Sequence, residues 1–332
     1  MRIIIDAMGG DHAPLSVLKG CEMAVKEFDV NITAVGDEKI LKKMAEDNKI
    51  DLKNITIVHT EGAMSMCDEP SSILKKNRGT SMGVAMDMMA SSEGDVLISA
   101  GNSGALLAGS TLIVKRMNGI KRPAFAPVFP TPKGYCMILD SGANAEIKAE
   151  YLPQFALMGS IYCKQVLKID NPRVGLLNNG TEETKGIPTY VEAHALLKET
   201  KDINFIGNVE ASGVYGGACD VLVCDGFTGN ILLKSIEGTA AGLLGELKTI
   251  FLKSPVTKLA AIMIKKHFIK LKQKMDVAEI GGAAVLGISK PVIKAHGSSN
   301  ARAIRSAILQ GINFHNTNVI QKIEKELNNQ NL

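Results

Sequence analysis

Short runs of Ile, Val and Leu recur along the chain, each followed by a cluster of Asp, Gly, Asn and Ser and then by a stretch with helical spacing. "RIIID" leads into "AMGGDHAP", "DVLISA" into "GNSGA", "CMILD" into "SGANAE" and "RVGLL" into "NNGTEETKG". Farther on, "INFIG" leads into "NVEASG", "DVLVC" into "DGFTGN" and "PVIKA" into "HGSSNA". Apolar runs without polar alternation, separated by helices, mark parallel strands covered on both faces. The expectation is an α/β protein built on a mostly parallel sheet. In such a sheet the loops after the strands lie on one edge, and ligands bind outside the carboxyl ends. Any one loop reads equally as a turn with an N-cap. Their repetition over seven strand ends predicts a common crevice.

The punctuation between these units is uneven. Pro-rich "RPAFAPVFPTPKG", Arg122 to Gly134, is the one candidate hinge and suits an edge strand or a loop. After "DGFTGN" the pattern predicts a helical excursion from about Leu232 to Met275, before "AEIGGAAVLG" returns to the sheet. Within it Ser254 and Pro255 read as an N-cap and first-turn proline. A final helix is expected from about Ser298, as N-cap, to about Leu327. No internal repeat or low-complexity linker interrupts the chain, so one α/β domain is expected over 1–332, with the excursion projecting at about 232–280.

Composition narrows the class. A chain of 332 residues, 45% hydrophobic and 22% charged, can bury a substantial core. No apolar run approaches the roughly 20 residues of a membrane span, and "MRIIIDAMGG" carries no long apolar region or cleavage site. Cys21, Cys67, Cys136, Cys163, Cys219 and Cys224 form no C-x-x-C pair, so buried thiols in a reducing, cytoplasmic setting are expected rather than a disulfide framework or zinc site.

Charge is concentrated in one place. From Leu247 to Met275 there are eight lysines and no acid, although the whole chain is only +4. On a helix, Ala260, Ala261, Ile264, Phe268, Leu271 and Met275 share a stripe flanked by Lys265 and Lys272. Leu259, Ile262, Met263 and Ile269 lie elsewhere among other lysines, giving apolar surface all round. This suits an anionic membrane surface, with lysines snorkelling, or packing across a dimer. Nucleic acid is not expected, because Phe268 is the only Phe, Tyr or Trp from Ser254 to Met275 and the rest of the chain is net acidic.

Several chemistries are disfavoured by spacing. None of the 32 glycines is followed by another two positions later, which removes G-x-G-x-x-G. No G-x-x-x-x-G-K-[ST] or H-E-x-x-H occurs. What remains is a set of loops rich in Gly amides, Asn and Ser, the chemistry of an anion site, with Lys185 in "ETKG" as available counter-charge.

The loops taken together are "DAMGGDHAP" (Asp6 to Pro14), "SAGNSGAL" (Ser99 to Leu106), "LDSGAN" (Leu139 to Asn144) and "GLLNNGTEETKG" (Gly175 to Gly186). They continue with "FIGNVE" (Phe205 to Glu210), "DGFTGN" (Asp225 to Asn230), "GGAAVLG" (Gly281 to Gly287) and "KAHGSSN" (Lys294 to Asn300). In this order and spacing, over nearly the whole chain, they resemble the bacterial phosphate acyltransferase family (PlsX) of phospholipid synthesis. Two departures stand out: Ser103 where the family often has Thr, and Asn300 where it often has Asp, so Asn300 is given no acid/base role.

The resemblance implies transfer of a long acyl chain from acyl carrier protein to inorganic phosphate, without cofactor or metal. It implies an acyl phosphate product handed to the membrane-bound glycerol-3-phosphate acyltransferase. A Rossmann-like three-layer α/β/α fold, akin to phosphotransacetylase and isocitrate dehydrogenase, is implied with it, as are a homodimer and peripheral attachment to the inner face of the cell membrane. Membrane contact falls to Ile264, Lys265, Phe268, Leu271 and Lys272. Acyl carrier protein is acidic, and the candidate basic patches for it are Lys75, Lys76 and Arg78, or Arg302 and Arg305; solvated helix faces explain both equally.

Attack of phosphate on a thioester passes through a tetrahedral oxyanion, so the enzyme must hold a dianion, place it and stabilise the developing charge. A phosphate with a second pKa of roughly 6 needs no strong base, and a thiol of pKa roughly 8 to 9 leaves readily. The resemblance supports Lys185, Asp225 and Asn230 as the catalytic set. In this reading Lys185 grips the phosphate with the amides of Gly101, Asn102, Ser103 and Gly104 and the helix start at Ser298. Asn230 donates to the oxyanion, and Asp225 orients Lys185 or accepts a proton. Gly9, Gly10, Asp11, Asn144, His296 and Ser299 complete the expected phosphate contacts. Strand-end turns also explain Asp225 and Asn230, a surface position explains Lys185, and Asp6 and Asp11 fit capping as well as contact. His12 is open either way. Cys224 invites an acyl-enzyme, but a core thiol fits "DVLVC" better. The rivals are a phosphotransacetylase or decarboxylating dehydrogenase on a similar fold, and a non-catalytic membrane-surface scaffold that binds acyl carrier protein.

Overall fold

The computed structural model describes residues 1–275 and 281–330, with side chains described through His267 and again from Gly281 to Asn329. Its strands are β1 (Arg2–Asp6), β2 (Asn31–Gly36), β3 (Ile55–His59), β4 (Val96–Ser99), β5 (Ala124–Thr131) and β6 (Gly134–Leu139). They continue with β7 (Arg173–Asn178), β8 (Asn204–Glu210), β9 (Val221–Val223), β10 (Ala283–Leu286) and β11 (Val292–Lys294). The helices are α1 (Leu15–Glu27), α2 (Glu38–Asp47), α3 (Ser81–Ala90), α4 (Ser103–Gly109), α5 (Leu152–Gln165) and α6 (Pro188–Glu199). They end with α7 (Ala211–Val214), α8 (Gly226–Leu252), α9 (Pro255–Met275), α10 (Ala301–Asn316) and α11 (Val319–Gln330).

The strands form one sheet in the order β3-β2-β1-β4-β11-β10-β5-β6-β9-β7-β8. All seven strands marked by the apolar runs are present. Five strands, β3 to β11 in that order, are mutually parallel, as are the four from β6 to β8. Between the two sets β10 pairs antiparallel with both β11 and β5, and β5 pairs antiparallel with β6. Three reversals leave the two parallel sets pointing in opposite directions. The carboxyl ends of β1, β4 and β11 therefore lie at one edge of the sheet, and those of β6, β9 and β7 at the other. The expected single crevice beyond all strand ends is corrected by this topology.

Alternate residues of a strand face opposite sides, and the core follows. Ile3 and Ile5, Met137 and Leu139, and Val221 and Val223 belong to one apolar layer shared by both sets. On the opposite side the core is divided: Ile4 packs with Met82, Met86 and Leu97, while Ile138 and Leu222 pack with Leu177 and Leu233. The divided side carries α4 on one part and the start of α8 on the other. Three layers result, as expected.

Four local expectations are revised. The Pro-rich stretch is no edge or hinge loop but β5, seventh in the sheet. Its first half, Ala124 to Pro127, pairs with β10 and its second half, Val128 to Thr131, with β6. Pro127 and Pro130 are tolerated because no half carries a complete ladder of both neighbours. The excursion begins earlier, at Gly226, because Asp225 caps α8 through the Thr228 amide (2.8 Å). The final helix is two, α10 and α11, broken at Asn318 with φ 52°, and Asn300 rather than Ser298 caps it through the Ala303 amide (3.0 Å). Five cysteines are buried as expected, whereas Cys67 is exposed. The start of α9 at Pro255, with Ser254 Oγ accepting from the Thr257 amide (3.2 Å), agrees with the sequence reading. Among the described residues no helix is long and apolar enough to cross a membrane.

Candidate active site

The expected site residues separate into two groups, one at each edge, joined by the first turns of α8. The turns after β1, β4 and β11 make the first group. Gly10 has φ 106°, and a side chain there would stand 2.9 Å from the Ala100 Cβ, so only glycine lets the first two turns close together. The Asp11 amide donates to the Gly297 carbonyl (2.8 Å), lacing the turn after β1 to that after β11. Asp6 lies beneath Gly9, accepting from Ser81 Oγ (2.6 Å), Ser99 Oγ (2.7 Å) and the Met8 amide (3.3 Å). Burial raises its carboxyl above the usual range, opposed by these bonds and by Lys294.

The loop after β4 is partly committed to its own structure. Asn102 caps α4 by accepting from the Ala105 amide (3.0 Å), and its Nδ2 donates to the carbonyls of Ser65, Met66 and Asp68. The Gly101 amide donates to Ser99 Oγ (3.0 Å). Ser103 and Gly104 open α4, where amides have no acceptor within the helix. After β11, His296 lies 2.9 Å from Ser298 Oγ through Nδ1 and 3.1 Å from Lys234 Nζ through Nε2. The Ser298 amide also donates to Nδ1 (3.3 Å), and the tautomer sets the direction of the Ser298 Oγ and Lys234 contacts. Burial first, then Lys234, holds His296 below the ordinary imidazole range. Ser299 is buried, and its hydroxyl has no hydrogen-bond partner.

The second group lies beyond β6, β9 and β7. Asp140 accepts from the amides of Phe125 (3.0 Å) and Asn144 (2.7 Å), from that of Ala143, and from Asn144 Nδ2 (3.0 Å). Burial pushes its carboxyl up to about 6 despite these donors. Asn144 belongs here rather than with the turns after β1 and β4: its Nδ2 also reaches the Pro123 carbonyl (2.8 Å), and its own carbonyl accepts from Gly226 (2.7 Å). Asp225 is buried; besides capping α8 it accepts from Thr228 Oγ1 (2.7 Å) and Tyr190 OH (2.5 Å). Its partner is thus Tyr190, not Lys185. Lys185 is half-exposed in the loop after β7, 3.9 Å from Glu182. Cys224 is a core thiol, raised by burial and donating to the Asp140 carbonyl (3.4 Å).

Asn230 lies on the exposed face of α8, between the groups and one turn before Lys234. From Asp225 to Lys234 the helix advances nine residues, about 13 Å at 1.5 Å each. Sequence reasoning missed Lys234, Lys294, Tyr190 and Asp140. Lys294 left two signals, closing the apolar run "PVIK" and opening the string "KAHGSSN"; Lys234 and Tyr190 sit at ordinary helix positions.

Residues 1–322 match the sequence profile of the family described as "Fatty acid synthesis protein". A phosphate acyltransferase of Oceanobacillus iheyensis is 49% identical over 312 residues, covering 93% of this chain and 92% of its own. One from Bacillus cereus is 48% identical over 314 residues, covering 93% of each. A solved phosphotransacetylase from Streptococcus pyogenes matches with a TM-score of 0.62 and 14% identity, over 97% of this chain and 94% of its own, a likeness of fold. With a profile spanning nearly all of its length and relatives close to half identical to it, the chain belongs to the fatty acid synthesis protein family.

Proposed function

We propose that this protein transfers a long-chain acyl group from acyl carrier protein to inorganic phosphate by direct attack of phosphate on the thioester, forming an acyl phosphate for phospholipid synthesis. The observation that carries this reading is the first group of turns, where the amides opening α4, the buried partnerless Ser299 hydroxyl and the ammonium groups of Lys234 and Lys294 belong to linked turns. The names of its relatives supply the same acceptor. Direct attack is favoured over an acyl-enzyme because Cys224 is buried and its thiol is held protonated. Phosphate sits at the first group, Asn230 faces the developing oxyanion, and Lys185 with the Asp225 turn meets the donor at the far end of the helix.

Incubation of the purified protein with palmitoyl-acyl carrier protein and phosphate, trapping acyl phosphate as hydroxamate, is the direct test. Phosphate-dependent hydroxamate is expected; none, beside an active family enzyme, returns the lead to a non-catalytic scaffold. Lys185→Ala is expected to abolish turnover while leaving the unfolding midpoint unchanged, and a fully active variant removes Lys185 from the mechanism.

The α8–α9 excursion supports peripheral attachment to an anionic membrane, with a homodimer displaying it. Val256 is 78% exposed, Ile262 69% and Met263 77%, so apolar surface surrounds the helix rather than lining one face. Of the expected contact residues, Ile264 and Lys265 are exposed, while the side chains of Phe268, Leu271 and Lys272 lie outside the described residues. Delivery there would bring a reactive acyl phosphate close to glycerol-3-phosphate acyltransferase.

A further inference from the structure

Lys294, which opens the string "KAHGSSN", and Lys234, which no loop motif marks, supply positive charge to the turns after β1, β4 and β11. Lys294 ends β11, and its side chain runs beneath the turns, only 9% exposed. Its ammonium donates to the carbonyls of Ala100 (3.3 Å) and Ala295 (2.5 Å), tying the turn after β4 to the turn after β11. An ammonium has three donors, and these carbonyls engage two. Lys234 reaches the same place from α8, its Nζ shared between His296 Nε2 (3.1 Å) and Glu237 (2.7 Å).

The groups facing Lys294 are Asp6 at the end of β1, Asp11 in the turn after it, and Lys234. His296 in turn faces Lys234, Glu237, Lys294 and Asp11. Asp6 is already engaged by Ser81 and Ser99. Lys234 disfavours the charge on Lys294, against the larger favourable pull of Asp6 and Asp11, and an anion between the two lysines relieves that repulsion, the more so if it is doubly charged. In the same turn Ser299 holds its buried hydroxyl without a partner.

We propose that the acceptor phosphate is bound here as a dianion, with Lys234 as the cation that touches it and Lys294 as a positioning residue beneath the turns. The charge that holds the acceptor then comes from these two lysines and not from Lys185. This rests on the acyl-transfer reading above and names the residues that serve its acceptor.

Burial holds Lys294 down at about 8, so its charge is lost as pH rises through that value. Inorganic phosphate is already mostly dianionic at pH 8 and becomes more so above it, so a rise in the phosphate KM above pH 8 reports the protein and not the ligand.

The test is steady-state kinetics with inorganic phosphate and acyl carrier protein thioester, varying each in turn. Lys234→Gln is expected to raise the phosphate KM by about 10- to 100-fold, the loss of a charged hydrogen bond, with the donor KM unchanged. Lys294→Met should raise the phosphate KM and abolish its rise above pH 8, while Lys294→Arg should keep affinity to higher pH. Lys185→Ala should leave phosphate binding, followed by calorimetry, unaltered. Lys234 is exposed, so Lys234→Gln decides the matter even if the Lys294 variants fail to fold. An unchanged phosphate KM in Lys234→Gln, or loss of phosphate binding in Lys185→Ala, overturns the proposal. No phosphate-dependent product from the unaltered protein would instead overturn the acyl-transfer reading itself.

Discussion

Asp140 shows how a residue chosen for its motif serves the fold. The string "LDSGAN" drew attention to Asn144, yet the carboxylate that organises the turn is Asp140, and Asn144 is one of its donors. Its carboxyl is raised from an ordinary 3.8 to about 6, with burial as the dominant cause. The native state therefore keeps a proton that the unfolded chain has lost between those values. The associated stability is complete below 3.8 and is lost as pH rises through about 6. About two pH units correspond to an order of 3 kcal/mol. Denaturant unfolding between pH 4 and 7 should show this fall in the wild type and a flatter profile in Asp140→Asn. Parallel profiles would mean that the carboxyl stays ionised when buried. Asp225 carries the same lesson: its acid signal was legible, but its engagement by Tyr190 depends on α6 reaching the turn after β9.

Among the elements, α8 decides how the site works. Its glycines read as turn punctuation, because glycine weakens helices. Here they are helical for a packing reason: a side chain at Gly226 would stand 2.8 Å from the Asn144 amide nitrogen, and one at Gly229 would collide with the Asp140 carbonyl. Close approach to the end of β6 lets α8 start at Asp225 and carry Asn230 and Lys234 across the divided side of the sheet. Asn230→Ala should lower kcat by about 10²- to 10³-fold, the usual consequence of removing one oxyanion donor, with the phosphate KM little changed. A variant with wild-type kcat would leave Asn230 a surface residue. The break between α10 and α11 was within reach of the sequence, since "NTN" offers asparagine, which enters the left-handed region of Asn318 at small cost.

At the scale of the molecule, the excursion is the largest departure from a closed apolar core. Ile250, Val256 and Leu259 are all more than half exposed within Leu247 to Met275, where eight lysines stand without an acid among them. Leu259→Glu with Ile264→Glu should reduce flotation with vesicles containing anionic lipid by at least about tenfold, through lost apolar insertion. Light scattering on the same variant separates the alternatives: an unchanged mass with lost flotation supports the membrane, whereas a halved mass assigns the surface to a dimer. Retention of both would leave these positions without either role.

The sequence by itself determined the three-layer α/β class, the seven strands with polar ends, and the basic helix after Ser254, because each rests on local periodicity and turn chemistry. It also marked most of the loops that approach a ligand. Strand direction belongs to pairing between distant segments, so only the tertiary structure decided that β10 and β5 reverse the sheet and divide those loops between two edges. The same holds for Lys234 and Lys294. A lysine becomes part of an anion site through what it faces, and His296, Asp6 and Asp11 reach them from separate parts of the chain.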